Sequence, residues 1–103
     1  MRIFGSTSYF IYIVTNKNRT VLYTGVTNDL ARRLAEHEDS ASSIYSASFT
    51  GKYKAYFLLY YEEFENVLDA IAREKEIKGW RRSKKEELIN SLNAEWKFLN
   101  DDF

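Results

Sequence analysis

Every position from Tyr9 to Val14 is aromatic or aliphatic (Tyr-Phe-Ile-Tyr-Ile-Val), which predicts a β-strand covered on both faces. The polar stretch from Thr15 to Thr20 reads as a turn, with Val21-Leu22-Tyr23 as a short return strand. A turn centred between Lys17 and Asn18 would set Tyr12 directly opposite Tyr23 on one face. Gly25 then ends the strand, and Thr27 or Asn28 is placed to cap a helix reaching about His37. Its apolar stripe is Leu30, Ala31 and Leu34. From Glu38 to Lys54 the periodicity is lost in a Ser-rich stretch that carries Phe49-Thr50-Gly51-Lys52 near its end. A loop of that length in a compact domain points to mobility or to a contact role. The continuous apolar run Ala55–Tyr61 predicts a third, interior strand. Two helices follow, over about Val67–Trp80 and Ser83–Leu92, the second with Ser83 as its N-cap. In the tail, Asn93 to Phe103, the residues Trp96, Phe98 and Leu99 are expected to pack back on the domain. The order ββαβαα predicts an α+β fold, a small three-stranded antiparallel sheet flanked by helices.

Composition narrows what such a domain can do. The 103 residues are 45% hydrophobic and 17% aromatic, which predicts one folded domain with a core over residues 9–92. Without cysteine there is neither a disulfide nor a thiolate metal site, and a single histidine cannot form a zinc cluster. No apolar run approaches the ~18–20 residues of a membrane span, and the N-terminus lacks a signal-peptide pattern, so the expected compartment is the cytoplasm. Fifteen Lys and Arg balance fifteen Asp and Glu. That zero net charge at first speaks against a nucleic-acid partner.

Several polar residues nevertheless stand where packing alone does not require them. Arg33 and His37 are four apart and share a helix face. His37 falls within about 20° of Leu30, and Arg33 about 60° from it, so both lie on or beside the apolar stripe. Each taken alone reads first as structural, a core-edge arginine and a hydrogen-bonded core histidine. On the next long helix, taking Val67 as reference, Glu74 lies about 20° away on the apolar side, and Glu76 faces solvent. A carboxylate there must be paired, hydrogen-bonded or bound to a cation. An ion pair with an arginine such as Arg33 satisfies this, and so does ligation of Mg²⁺, which takes one carboxylate, several waters and a substrate phosphate. Tyr12 and Tyr23 are ordinary strand aromatics taken singly. Together with Arg33, His37 and Glu74 they compose a set able to cleave a phosphodiester, which needs a base, a cationic clamp and leaving-group stabilisation. A tyrosine acts as a free phenolate base only if its pKa of ~10 is pulled down by nearby positive charge.

The spacing of this set resembles the GIY-YIG nuclease superfamily, in particular its small stand-alone members, and is similar to the N-terminal nuclease module of the bacterial excinuclease. Phe10-Ile11-Tyr12 matches the first motif and Tyr23-Thr24-Gly25 the second, with Phe10 in place of Gly and Thr24 in place of Ile. The helical run Val26 to His37 and the segment Ala70 to Trp80 match the family's Arg/His helix and its metal-binding Glu segment. The resemblance spans roughly Tyr9 to Trp96. It implies a GIY-YIG-like fold and a metal-dependent endonuclease acting on DNA phosphodiester bonds, of branched or damaged DNA in repair or recombination. The alternatives are a nucleic-acid-binding module with little turnover and a protein-interaction domain using the Ser-rich loop and the aromatic tail. Carried over, Tyr12 is the general base or a base-activating phenol, Tyr23 orients water and phosphate, Arg33 binds the scissile phosphate, and His37 assists proton transfer. Glu74 holds one Mg²⁺ or Mn²⁺. Asn90 and Asn93 are candidates for a late asparagine that the family adds to its site.

The resemblance also changes how the balanced charge reads. From Arg73 to Lys85 there are seven Lys/Arg and two Asp/Glu. Lys75, Lys78, Arg81, Arg82, Lys84 and Lys85, with Arg32 on the earlier helix, are therefore the candidate DNA-binding cations. Zero net charge then predicts modest non-specific affinity and strong salt sensitivity, with a special DNA shape, a protein partner or a homodimer supplying the rest.

Overall fold

In a computed structural model, which describes residues 8–42 and 49–103, three strands form one antiparallel sheet in the order β2-β1-β3. The strands are β1 (Tyr9–Thr15), β2 (Leu22–Thr27) and β3 (Phe57–Phe64). The helices are α1 (Leu30–Ser42), the one-turn α2 (Phe49–Lys52), α3 (Val67–Lys78) and α4 (Arg82–Leu92), before a final 3₁₀ turn at Asn100–Asp102. Part of the Ser-rich stretch, residues 43–48, lies outside the described residues; α1 and α2 occupy most of the remainder.

β1 is the central strand and is covered on both faces, as its composition predicts: Ile11, Tyr12, Ile13 and Val14 are all buried. Ile11 and Ile13 face Ala70 and Ile77 of α3 and Ile89 of α4. Tyr12 and Val14 face Leu30 and Leu34 of α1, with Ala55 and Leu58. The sheet thus separates two apolar layers, and the odd/even alternation of β1 decides which residues reach each.

The β1–β2 register differs from the expected one by two residues. Tyr12 lies opposite Gly25, and Tyr23 lies opposite Val14. The turn centres between Asn18 and Arg19, because Asn16 Oδ1 accepts the backbone N–H groups of Thr20 (2.7 Å) and Val21 (3.2 Å) and so lengthens the loop. Arg19 takes the left-handed backbone (φ 59°) that closes it. A shift of two keeps every side chain on its face, so Tyr12 and Tyr23 still share one. Gly25 does not end the strand, which runs on to Thr27. Its role is close approach: a Cβ there would sit 2.3 Å from the Tyr12 hydroxyl.

Other boundaries move for identifiable reasons. Thr27 Oγ1 accepts the Asp29 N–H (3.1 Å), and Asp29 Oδ1 accepts the Arg32 N–H (3.1 Å), so Asp29 caps α1 in place of Thr27 or Asn28. The helix continues past His37 to Ser42. β3 is an edge strand, not the interior one its apolar run suggested. Its rim is covered by the tail: Leu99 N–H donates to Leu58 O (2.8 Å), Leu58 N–H to Asn100 Oδ1 (2.8 Å), and Asn100 Nδ2 to Tyr56 O (2.9 Å). The tail packs as expected, with Phe98 stacked on Phe57 at 4.3 Å. α3 is capped by Asn66, whose Oδ1 accepts the Leu68 N–H (2.7 Å), and stops at Lys78, before Trp80. Val67, the reference for its apolar stripe, is itself exposed; Ala70 and Ile77 are the buried residues. Ser83 lies inside α4, whose N-cap position is Arg81 without a side-chain bond.

Two neighbouring residues of β2 give opposite predictions. Thr24, opposite Ile13, carries the one buried side-chain oxygen among the described residues that lacks a hydrogen-bond partner. Thr24→Val should therefore raise stability by about 1 kcal/mol, whereas Gly25→Ala should lower it by about 1–3 kcal/mol because the Tyr12 ring must move. Urea unfolding of the two variants checks both signs.

Candidate active site

α1 projects two polar side chains onto the Tyr12 face of the sheet. His37 is 2% exposed, its Nε2 2.9 Å from the Tyr12 hydroxyl and its Nδ1 2.9 Å from Thr50 Oγ1. One turn earlier, Arg33 donates from Nε to the Tyr12 oxygen at 3.3 Å and from Nη1 to Glu36 at 3.0 Å. The Tyr12 hydroxyl is therefore held by the only histidine of the chain and by an arginine at once. The second tyrosine stands beside them. The Tyr23 ring meets the His37 ring edge-on at 5.8 Å and stacks on Phe49 of α2, also at 5.8 Å.

Glu74 approaches from the opposite layer, on α3. Its side chain is 15% exposed, while Glu76 is 54% exposed, so the inward choice between the two follows the helix geometry. The partner of Glu74 is Lys78 (Nζ to Oε2, 3.1 Å), not Arg33, and the Lys78 ammonium lies 5.3 Å from the centre of the Tyr23 ring. A continuous series of contacts thus runs from Glu74 through Lys78, Tyr23, His37 and Tyr12 to Arg33. Glu74 joins the other four residues through Lys78.

Burial sets the protonation states. Desolvation pushes the Tyr12 phenol up to about 12, with Arg33 opposing, so the free phenolate that a tyrosine base would need is scarce at neutral pH. Desolvation, reinforced by the Arg33 charge, lowers His37 to about 4, and its imidazole is neutral at pH 7. Burial tends to lower Arg33, but hydrogen bonds to Tyr12 and Glu36 outweigh it and hold the guanidinium protonated.

The donor set at Glu74 is a single carboxylate, and among the described residues no three His, Asp or Glu side chains stand together. One carboxylate is what Mg²⁺ or Mn²⁺ requires when waters and phosphate oxygens complete its shell. Lys78 already places a cation against Oε2, so the position accommodates positive charge.

The remaining candidates divide. Arg82 is committed to structure: it donates to Thr20 O (2.7 Å) and Arg19 O (3.2 Å) and pairs with Glu86. Arg32 bonds Asn28, just before its helix, and Glu36 within it. Lys84 lies over the Trp80 ring at 4.3 Å, and Lys75, Arg81 and Lys85 make no ion pair among the described residues. Asn93 is buried, donating to Leu59 O and Lys97 O, and Asn90 accepts the Trp96 indole N–H at 2.6 Å; both fasten the tail. A second polar cluster, in which Arg73 grips Glu62 by two bonds (2.9 and 3.0 Å) and Tyr60 donates to the same carboxylate, ties α3 to β3. Burial raises the Glu62 carboxyl, yet these hydrogen bonds outweigh it and leave it lowered. Sequence reasoning did not reach Thr50 and Phe49 as site neighbours. The signal was a long loop with an aromatic-threonine pair at its end.

A three-stranded antiparallel sheet with flanking helices is the fold observed, and the class of protein it belongs to is that of the GIY-YIG catalytic domain. That family's model matches residues 8–87, and the chain belongs to the family, a nuclease-type domain. More narrowly, the chain is similar to the UPF0213 proteins. That of Clostridium perfringens is 38% identical over 82 residues, 80% of this chain and 83% of that protein. That of Natronomonas pharaonis is 35% identical over 81 residues, 79% of this chain and 89% of that protein. The solution NMR structure of the UPF0213 protein BH0048 from Bacillus halodurans aligns with a TM-score of 0.53 at 27% identity, covering 86% of this chain and 89% of that one. No helix among the described residues is long and apolar enough to cross a membrane.

The buried neutral histidine has a consequence for acid stability. The unfolded chain protonates His37 near 6.5, the folded chain only near 4, so the unfolded state binds more protons between those values. This contribution is complete above about pH 6.5 and is lost as pH falls toward 4, at up to about 1.4 kcal/mol per pH unit. In urea titrations the stability advantage of wild type over His37→Gln should shrink by about 1–3 kcal/mol between pH 7 and pH 4.5. An advantage unchanged with pH contradicts a buried neutral imidazole.

Proposed function

We propose that this protein is a divalent-metal-dependent endonuclease that hydrolyses DNA phosphodiester bonds, with Tyr12, Tyr23, Arg33, His37 and Glu74 as its catalytic set. Branched or damaged DNA, met in repair or recombination, is its substrate class. The observation that carries this reading is the Tyr12 hydroxyl, bonded by His37 and Arg33 together. A packing tyrosine has no need of a cation and a neutral base on the same oxygen.

The chemistry follows from those two bonds. The Arg33–Tyr12 bond is long at 3.3 Å, and a scissile phosphate offers the guanidinium two oxygens in a fork geometry. As Arg33 turns to the phosphate, it frees a lone pair on Tyr12 for the attacking water. The water oxygen bonds phosphorus, and the bond from phosphorus to the leaving sugar oxygen breaks. The water proton passes to the Tyr12 oxygen while the phenol's own proton passes to His37 Nε2, so no free phenolate forms. That relay answers the high pKa of the buried phenol. The leaving oxygen takes a proton from solvent. Tyr23, with the Lys78 ammonium near its ring, orients the water and the phosphate in this reading. A Mg²⁺ or Mn²⁺ ion on Glu74, when bound, supplies Lewis-acid charge to phosphate oxygens. Lys75, Arg81, Lys84 and Lys85 are the cations left to track the backbone, and affinity should fall steeply with salt.

The test is cleavage of branched, single-stranded and duplex DNA with Mg²⁺ or Mn²⁺. Wild type should cut, and Arg33→Ala and Glu74→Ala should each lose about 10²-fold or more in rate. Arg33→Lys should recover only part of that loss, since it restores charge without the fork. Absence of cleavage by wild type across metals, or undiminished cleavage by Glu74→Ala, overturns the proposal. DNA binding without turnover would leave a nucleic-acid-binding module in its place.

A further inference from the structure

Four hydrogen-bonding groups meet at Tyr12 and His37, and their donor and acceptor limits fix where each proton sits. Arg33 has donors only, so the Tyr12 oxygen is the acceptor of the 3.3 Å bond from Nε. The Tyr12 hydroxyl also carries a proton, and at 1% exposure the residue is shielded from bulk solvent. Among the described residues the acceptor within reach is His37 Nε2, at 2.9 Å. The opposite arrangement, with the proton on Nε2, would aim two N–H donors at one phenol oxygen and bury the phenol proton unpaired. Such an unsatisfied buried donor costs about 1–3 kcal/mol. A neutral imidazole has one N–H, so that proton lies on Nδ1 and points at Thr50 Oγ1, 2.9 Å away.

We infer that Thr50 is a positioning residue: its hydroxyl oxygen accepts the Nδ1–H of His37 and thereby keeps Nε2 unprotonated, ready to take the proton of Tyr12. Thr50 itself is 4% exposed and fixed from its own segment. The Thr50 carbonyl accepts the Ala55 N–H at 2.8 Å, and the adjacent Phe49 stacks on the Tyr23 ring. One short helix therefore holds the imidazole of His37 with one residue and packs against the second tyrosine with the residue before it. Thr50 is hydroxyl-bearing, so serine can replace it in this role, whereas valine has nearly its shape and no acceptor. The tautomer follows from geometry alone. Its meaning for cleavage rests on the nuclease reading above, in which His37 Nε2 receives the phenol proton.

Because His37 is the only histidine in the chain, a long-range ¹H–¹⁵N correlation spectrum of the imidazole shows one residue and needs no assignment. At pH 7 the wild type should show a protonated, pyrrole-type Nδ1 and an unprotonated, pyridine-type Nε2. Thr50→Ser should keep that pattern and the wild-type cleavage rate. Thr50→Val should move population to the Nε2–H form and lower kcat by about 10- to 100-fold with little change in KM. A wild-type spectrum with Nε2 protonated overturns the inference without any variant, and so does an unshifted spectrum in folded Thr50→Val. The expected spectra from a wild type that cleaves nothing would remove the nuclease reading and leave the Thr50 assignment in place.

Discussion

The Tyr12 ring reaches its position because nothing projects from the strand beside it. Gly25 lies directly across from Tyr12 in the ladder, and any side chain there would collide with the phenol oxygen. With that space open, the hydroxyl lies in a layer bounded by α1, where Arg33 and His37 hold it from one helix face. The site therefore depends on one cross-strand close approach, and the β1–β2 register is what guarantees it. A slip of one residue would send Tyr12 to the other layer. The turn is correspondingly well secured. Asn16 fixes it from inside, Arg82 holds its carbonyls from α4, and the Arg19 guanidinium lies 4.1 Å over Phe98 of the tail while donating to Trp96 O.

The sheet divides the work between its two faces. Ile11, Ile13 and Leu59 form an apolar contact with α3 and α4 that holds the domain together. On the other face, burial acts on chemistry instead: it keeps His37 neutral and Tyr12 protonated. A buried neutral base next to a buried phenol is stable only because each satisfies the other, with Thr50 and Arg33 closing the ends. Glu74 and Lys78 bring charge to this face from the opposite layer. The zero net charge of the chain is accordingly a sum over separated regions, with Glu62 and Glu76 neutralising Arg73 while Lys75, Arg81 and Lys85 stay unpaired among the described residues.

Much of this is legible in the amino-acid sequence, for a physical reason. Strand and helix periodicities report which face a residue occupies. The burial of His37, the half-exposed position of Arg33 beside it and the choice of Glu74 over Glu76 agree with the helix angles, although Val67, the reference for the last, is itself exposed. Periodicity says less about what lies across a gap. The β1–β2 register, the edge position of β3 and the identity of Glu74's partner depend on turn chemistry and on the tail, which contribute no periodic signal. Thr50 is hidden for the same reason. It acts from a one-turn helix in an aperiodic stretch, and its marks are the length of that stretch and the Phe-Thr pair near its end. The tyrosine pKa also has to come from the fold, because Arg33 is close to Tyr12 yet desolvation outweighs its charge.

If the Tyr12 hydroxyl, with Arg33 and His37, is where a phosphodiester is hydrolysed, a bound phosphate must reach it. A crystal structure with Mn²⁺ and an uncleavable phosphorothioate oligonucleotide would show whether it does. The expected result is an anomalous Mn²⁺ peak at ligand distance from Glu74, displacing Lys78, and the modified phosphate on Arg33 beside the Tyr12 oxygen. A phosphate bound elsewhere, with the Arg33–Tyr12–His37 bonds unchanged, would contradict it.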